Sequence, residues 1–155
     1  MNIFRDPVLF AAFGFGAGLS KKAPGTVGTL VAIPFYLLLA STDLRVYAAV
    51  LLGLGVGAVW ICQQASQRLG VHDHPGIVLD EIVGFLAAMV AVTPSWQAVA
   101  VGFGLFRFFD IFKPWPIRFV DERVPGGVGI VLDDVVAGLL AALLLQILRV
   151  AGLLP

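Results

Sequence analysis

Apolar residues run along this chain in long blocks broken by short polar loops, and the blocks define the elements to expect. Residues 8–19 are apolar but short and rich in glycine, so they read as an interfacial or re-entrant segment; a straight span needs about 20 residues. A short apolar stretch over 27–40, containing Pro34, and a longer one over 44–61 are separated by Ser41-Thr42-Asp43 and read as a helical hairpin. Gly53, Gly55 and Gly57 in the second arm would let a neighbouring helix approach closely. A polar loop over 63–76 carries Arg68 and His72-Asp73-His74. The next apolar helix covers 77–92, turns at Thr93-Pro94-Ser95 and returns over 96–112, with Trp96 as an interfacial anchor. A second polar loop, 114–129, ends in Pro125-Gly126-Gly127-Val128-Gly129, whose glycines permit a tight re-entry into the last helix, 130–150. The expected fold is an all-α, polytopic membrane helical bundle of about four to five apolar helices plus the N-terminal segment. A single membrane-embedded domain over 1–155 is expected.

Composition agrees with a membrane protein. Of the 155 residues, 59% are hydrophobic and 13% charged, against about a quarter charged in soluble domains. Net charge is zero, which gives no electrostatic case for a nucleic-acid partner. The lone Cys62 excludes an intramolecular disulfide and reads as a small apolar helix residue. Arg5 and Asp6 ahead of a glycine-broken segment do not read as a secretory signal. If each later apolar block crosses once, Arg5, Lys21, Lys22, Arg68, Lys113, Arg118 and Arg123 fall on one side and only Arg45 and Arg149 on the other. The positive-inside rule makes the first side cytoplasmic.

Against this background one phrase stands out because it occurs twice: Ile77-Val78-Leu79-Asp80-Glu81-Ile82-Val83 and Ile130-Val131-Leu132-Asp133-Asp134-Val135-Val136. A carboxylate in an apolar helix costs roughly 2.5–3.5 kcal/mol on insertion scales, so four of them need partners, a metal ion or a water-filled site. Both phrases enter from the basic side, with Asp80 and Asp133 expected about 5 Å below their helix starts. Lys21-Lys22-Ala23-Pro24-Gly25-Thr26 reaches the same level, where free N–H groups at a helix start suit a phosphate. Arg107, Asp110 and Lys113, three apart on one helix face, arrive there too. The His72-Asp73-His74 loop offers groups for a metal or a proton transfer, and reads also as a solvated polar loop. Oxygen-only acidic ligands favour Mg2+ or Mn2+ over zinc, and with Arg107, Lys113 and Lys22 nearby the set matches a phosphate ester. Two other readings stand beside it: a cation or proton transporter using the same carboxylates, and a membrane assembly factor whose acids only pair with Arg107 and Lys113.

Several strings together resemble the phosphatidylglycerophosphatase A family. They are Gly14-Phe15-Gly16 through Gly18-Leu19-Ser20, Pro24-Gly25-Thr26, Val71-His72-Asp73-His74 with Asp80-Glu81, and Phe106-Arg107 with Asp110. Lys113-Pro114-Trp115-Pro116-Ile117-Arg118 and Gly126-Gly127 through Asp133-Asp134 complete the set, which covers nearly the whole chain in order. The resemblance implies a bacterial inner-membrane, multi-pass, Mg2+-dependent enzyme with its active site facing the cytoplasm. It would remove the terminal phosphate of phosphatidylglycerophosphate within membrane lipid. By motif match it places metal binding on Asp80, Glu81, Asp133 and Asp134, and phosphate binding on Arg107 and Lys113 with Lys22 and Thr26 in support. Asp110, His72, Asp73 and His74 are its candidates for proton transfer or orientation. Pro125 departs from the pattern, standing where a polar residue, often His, is expected before the paired glycines.

Overall fold

The computed structural model describes residues 3–155. Among them there is no strand, and seven α-helices are joined by turns: α1 Pro7–Ala12, α2 Pro24–Leu39, α3 Leu44–Leu69, α4 Leu79–Ala88, α5 Trp96–Phe112, α6 Ile117–Arg123 and α7 Gly126–Val150. Local chemistry sets most of the ends. The Val8 and Leu9 N–H groups donate to Asp6 Oδ1 at 3.0 and 3.3 Å, and Pro7 occupies the first turn of α1, where no N–H is needed. Asp43 accepts from Arg45 N–H at the start of α3, and Ser95 Oγ accepts from Ala98 N–H at the start of α5. Gly70 closes α3 in the left-handed conformation. The N-terminal segment is short and kinked, as expected, and it is packed: Leu9, Ala12 and Phe13 bury against α3, and Asp6 pairs with Arg68 at 2.5 Å.

Helix α6 forms inside a stretch read as loop, and α2 begins at Pro24, ahead of the apolar stretch over 27–40. Besides these, three boundaries differ from the sequence reading, each for a physical reason. The stretch 63–69, read as loop, continues α3, so Arg68 stands on a helix. Helix α7 begins at Gly126, four residues earlier than expected. Pro125 supplies no side-chain cap; instead Gly126 N–H donates to His72 Nε2 at 2.9 Å and Gly127 N–H to Gln63 Oε1 at 2.6 Å, so distant residues satisfy the orphan donors of the helix start. Asp133 therefore lies about 10 Å into α7 and not about 5 Å. The third difference is α4, which ends at Ala88 although the apolar run continues.

That early end leaves carbonyls inside an apolar bundle, where each unsatisfied one would cost several kcal/mol. Side chains of other helices take them up. Tyr47 Oη donates to Leu86 O at 2.7 Å, Tyr36 Oη to Val92 O at 3.0 Å, and Arg149 Nη1 to Ala91 O at 2.7 Å. Gln146 Nε2 reaches Val90 O and Ala91 O at 3.4 and 3.3 Å. The chain thus travels from one end of the bundle to the other as a ten-residue helix plus an irregular tail.

Helix α4 is the centre of the bundle. Every residue from Ile82 to Ala88 is buried, packed by α2, α3, α5 and α7. Its closest neighbour is α7, and two glycines make the approach possible: a Cβ at Gly84 would sit 2.7 Å from Asp134 O, and one at Gly138 would collide with Gly84 O. Outside, the bundle is apolar. Leu52, Val56 and Trp60 of α3 and Leu139, Leu143 and Ile147 of α7 are exposed. Helices α3 and α7 are long and apolar enough to cross a bilayer, with mean hydropathy 1.9 and 2.3. This is the build of a membrane protein.

Candidate metal and phosphate site

The first turn of α4 and the third turn of α7 meet at one end of the bundle, and their acids meet with them. One carboxylate oxygen from each of Asp80, Glu81 and Asp134 lies within 4.8 Å of the others. These three acids, with Asp133, are buried or nearly so, and each keeps an oxygen that no described residue bonds: Asp80 Oδ1, Glu81 Oε2, Asp133 Oδ1 and Asp134 Oδ2. Buried polar atoms are rarely left this way.

They line a cavity of about 220 Å³. Helix α5 contributes Arg107 and Asp110 and ends in Lys113; the start of α2 contributes Ala23, Pro24 and Gly25, and Asp73 comes from the loop before α4. Arg107 Nη1 pairs with Asp110 at 2.5 Å and faces Glu81 at 3.7 Å, while its Nε makes no hydrogen bond. Lys113 Nζ bridges Asp133 at 2.6 Å and Asp121 at 2.7 Å. Burial alone would lower the Lys113 pKa, but hydrogen bonds to Asp121 and Asp133 outweigh it and hold the value above that of an ordinary lysine. Gly25 leaves room for both charged groups, because a Cβ there would run into the Glu81 carboxylate and sit 3.0 Å from Arg107 Nη1.

Six carboxylates line the cavity against two cations, so with all of them ionised four negative charges are uncompensated. Unpartnered buried oxygens, an oxygen-only donor set and excess negative charge together fit a hard cation. The acidic cluster is thus able to bind a metal ion.

The sequence matches the family described as Phosphatidylglycerophosphatase A over residues 10–149. The chain belongs to that family. A phosphatidylglycerophosphatase A of Escherichia coli K12 is 47% identical over 139 residues, 88% of this chain and 80% of the relative. One of Haemophilus influenzae is 41% identical over 143 residues, 89% and 86% of the two chains. A Bacteroides thetaiotaomicron protein, provisionally named a phosphatidylinositol-3-phosphatase, is 39% identical over 152 residues, 92% and 93%. No solved structure matches the chain.

Within this chain the candidates from the sequence separate into two groups. Asp80, Glu81, Asp133, Asp134, Arg107, Asp110, Lys113 and Asp73 line one cavity. Lys22, Thr26, His72 and His74 do not line it. Lys22 is exposed and Thr26 half-buried beside the lining residues Pro24 and Gly25. Both histidines accept backbone hydrogen bonds, His72 from Gly126 and His74 Nδ1 from Gly76 N–H at 3.0 Å. Sequence reasoning assigned nothing to Asp121 or Gln63. Asp121 lies four residues after Ile117, so a helix over 117–123 turns both to one side, but the prolines at 114 and 116 made the stretch read as loop. A larger groove of about 530 Å³ between α3, α4 and α7 is lined only by alanine, glycine, valine and leucine, and carries no group able to do chemistry.

Proposed function

We propose that this chain hydrolyses the terminal phosphomonoester of phosphatidylglycerophosphate to phosphatidylglycerol and phosphate, with Mg2+. The observation that supports it most is the juxtaposition of three clustered, buried carboxylates with Arg107 and Lys113 in one small cavity at the end of an apolar bundle. Asp80, Glu81 and Asp134 would hold the cation, with Asp133 beside them. When bound, such an ion supplies charge to polarise a phosphoryl oxygen and to acidify a water.

The residues of the chain do the rest. Arg107, with its free Nε, and Lys113 hold the phosphate oxygens and the charge that grows on them in the transition state. The start of α2 lines the same space with Ala23, Pro24 and Gly25, and a helix start favours an anion. Asp110 fixes the Arg107 guanidinium. Asp73, exposed at the mouth and without an ion pair among the described residues, moves protons: the water oxygen bonds to phosphorus, the ester P–O bond breaks, and the leaving glycerol oxygen takes up a proton. Lys21, Lys22, Arg68, Arg118 and Arg123 belong to loops and helix ends at this same end, so the positive-inside rule makes it the cytoplasmic headgroup layer of an inner membrane. The lipid's phosphate then lies at cavity level while its acyl chains stay in hydrocarbon. One domain over 1–155 carries this activity.

A transporter would need polar groups continuing through the bundle. The groove along α3 and α7 holds none, which favours hydrolysis. The headgroup named for the Bacteroides relative makes a phosphatidylinositol phosphate the natural second substrate to assay. The test is phosphate release from phosphatidylglycerophosphate in mixed micelles, with Mg2+ and with chelator, beside Asp80→Asn and Asp134→Asn. Metal-dependent turnover lost in both folded variants supports the reading. A folded wild-type protein that releases no phosphate from either lipid overturns it.

A further inference from the structure

Lys113 is the lysine of the cavity, and its ammonium is held from two sides by acids on two different helices: Asp133 of α7 at 2.6 Å and Asp121 of α6 at 2.7 Å. Its backbone is in the left-handed region, φ +42°, at the C-cap of α5, a position that glycine occupies more easily. A bulky residue at such a site points to a job for its side chain. The two acids differ in surroundings. Asp133 is buried inside the cavity, whereas the Asp121 side chain is 41% exposed and lines no part of it. Asp121 thus stands outside the cavity wall, and as an exposed pair its bond to Lys113 contributes little to stability. What it does control is where the ammonium sits. A lysine has a flexible four-carbon stem and three N–H donors, and with one acid only its position is loosely set. With both bonds made, two donors are spent and the third is left for a ligand.

We propose that Asp121 is a positioning residue that acts through Lys113, stationing the ammonium at the edge of the cavity to receive the phosphate of the substrate. This rests on the phosphatase reading of the cavity. It makes α6 part of the site: Ile117 and Asp121 share its inward side, while Phe119 and the Arg118–Glu122 pair are exposed. That exposed pair, on the same helix with a bond of 2.8 Å, is an internal control, since it touches nothing in the cavity.

The experiment measures kcat and KM on phosphatidylglycerophosphate in mixed micelles with Mg2+. Asp121→Asn raises KM about tenfold, the factor equivalent to about 1.4 kcal/mol, with kcat within about twofold. Asp121→Glu restores most of the loss, and Glu122→Gln behaves as wild type. In a Lys113→Met background, adding Asp121→Asn causes no further change, because the group through which it acts is gone. The proposal is overturned if Asp121→Asn leaves KM unaltered, if its effect persists in full beside Lys113→Met, or if Glu122→Gln matches it. Binding of inorganic phosphate to the Mg2+-loaded protein, followed by 31P line broadening, separates this from the wider reading. If the wild type turns over no lipid phosphate, the proposed function fails alone, and phosphate binding weakened about tenfold in Asp121→Asn but not in Glu122→Gln still supports the role of Asp121.

Discussion

Replacing Gly84 by alanine tests how the acids of α4 and α7 are brought together. The added Cβ would lie 2.7 Å from Asp134 O and 2.7 Å from Phe106 Cε2, where ordinary contact begins at 3.4 Å. One obstacle is a backbone carbonyl that cannot rotate away, so α4 and α7 must part by about 0.7 Å, the difference between those two distances. Overpacking of this kind costs about 1–3 kcal/mol, against which alanine returns about 1 kcal/mol of helix propensity. A net loss of up to about 2 kcal/mol follows. The site suffers more than the fold. Asp80 lies one turn before Gly84 on α4 and Asp134 one turn before Gly138 on α7, so the separation is passed directly to the acid cluster. Since a misplacement of about 1 Å costs on the order of a hundredfold in rate, kcat should fall about tenfold to a hundredfold. The assay pairs phosphate release with thermal unfolding followed by tryptophan fluorescence in the same micelles. Gly104→Ala on α5 is the matched control, because nothing lies within 4 Å of its Cβ. It should keep wild-type turnover and gain up to about 1 kcal/mol. Wild-type turnover in Gly84→Ala, with a thermal midpoint equal to that of Gly104→Ala, would refute the argument that close glycine packing builds the site.

Other substitutions separate stability from chemistry. Gly25→Ala presses a methyl group against the Glu81 carboxylate and Arg107, and should cut turnover at least about tenfold while the unfolding midpoint stays near wild type; a fully active variant would count against Gly25 as a wall of the site. Tyr47→Phe strips Leu86 O of its partner and should cost about 1–3 kcal/mol in thermal or denaturant unfolding, with turnover at low temperature unchanged. Tyr36→Phe should do the same through Val92 O, and the two should add, because they serve different carbonyls. Asp134→Asn removes one charge from the acid cluster and should weaken Mn2+ binding, read by electron paramagnetic resonance, at least about tenfold; unaltered binding would place the ion elsewhere. Arg68→Met breaks an exposed pair with Asp6 and should cost no more than about 1 kcal/mol.

The sequence by itself was enough for the all-helical membrane fold, and it marked the charged residues that line the cavity. Long apolar runs are local signals, and a carboxylate pair inside such a run costs too much to be incidental, so Asp80, Glu81, Asp133 and Asp134 were marked by their surroundings alone. The spacing of Arg107, Asp110 and Lys113 marked one helix face in the same way. Tertiary structure decided which of these groups meet. Asp80, Glu81 and Asp134 form the cluster while Asp133 turns to Lys113, a division that depends on how α4 and α7 are rotated against each other at Gly84 and Gly138. It also decided the ends of helices. Helix α4 stops at Ala88 inside an apolar run because tyrosines from α2 and α3, with Gln146 and Arg149 from α7, receive the carbonyls that it frees. Helix α7 starts at Gly126 because His72 and Gln63, more than fifty residues away, cap it. His72 stands in a polar loop where its neighbours in sequence give no sign of this role. Its hydrogen-bond partner lies across the fold, and only the folded chain brings the two together.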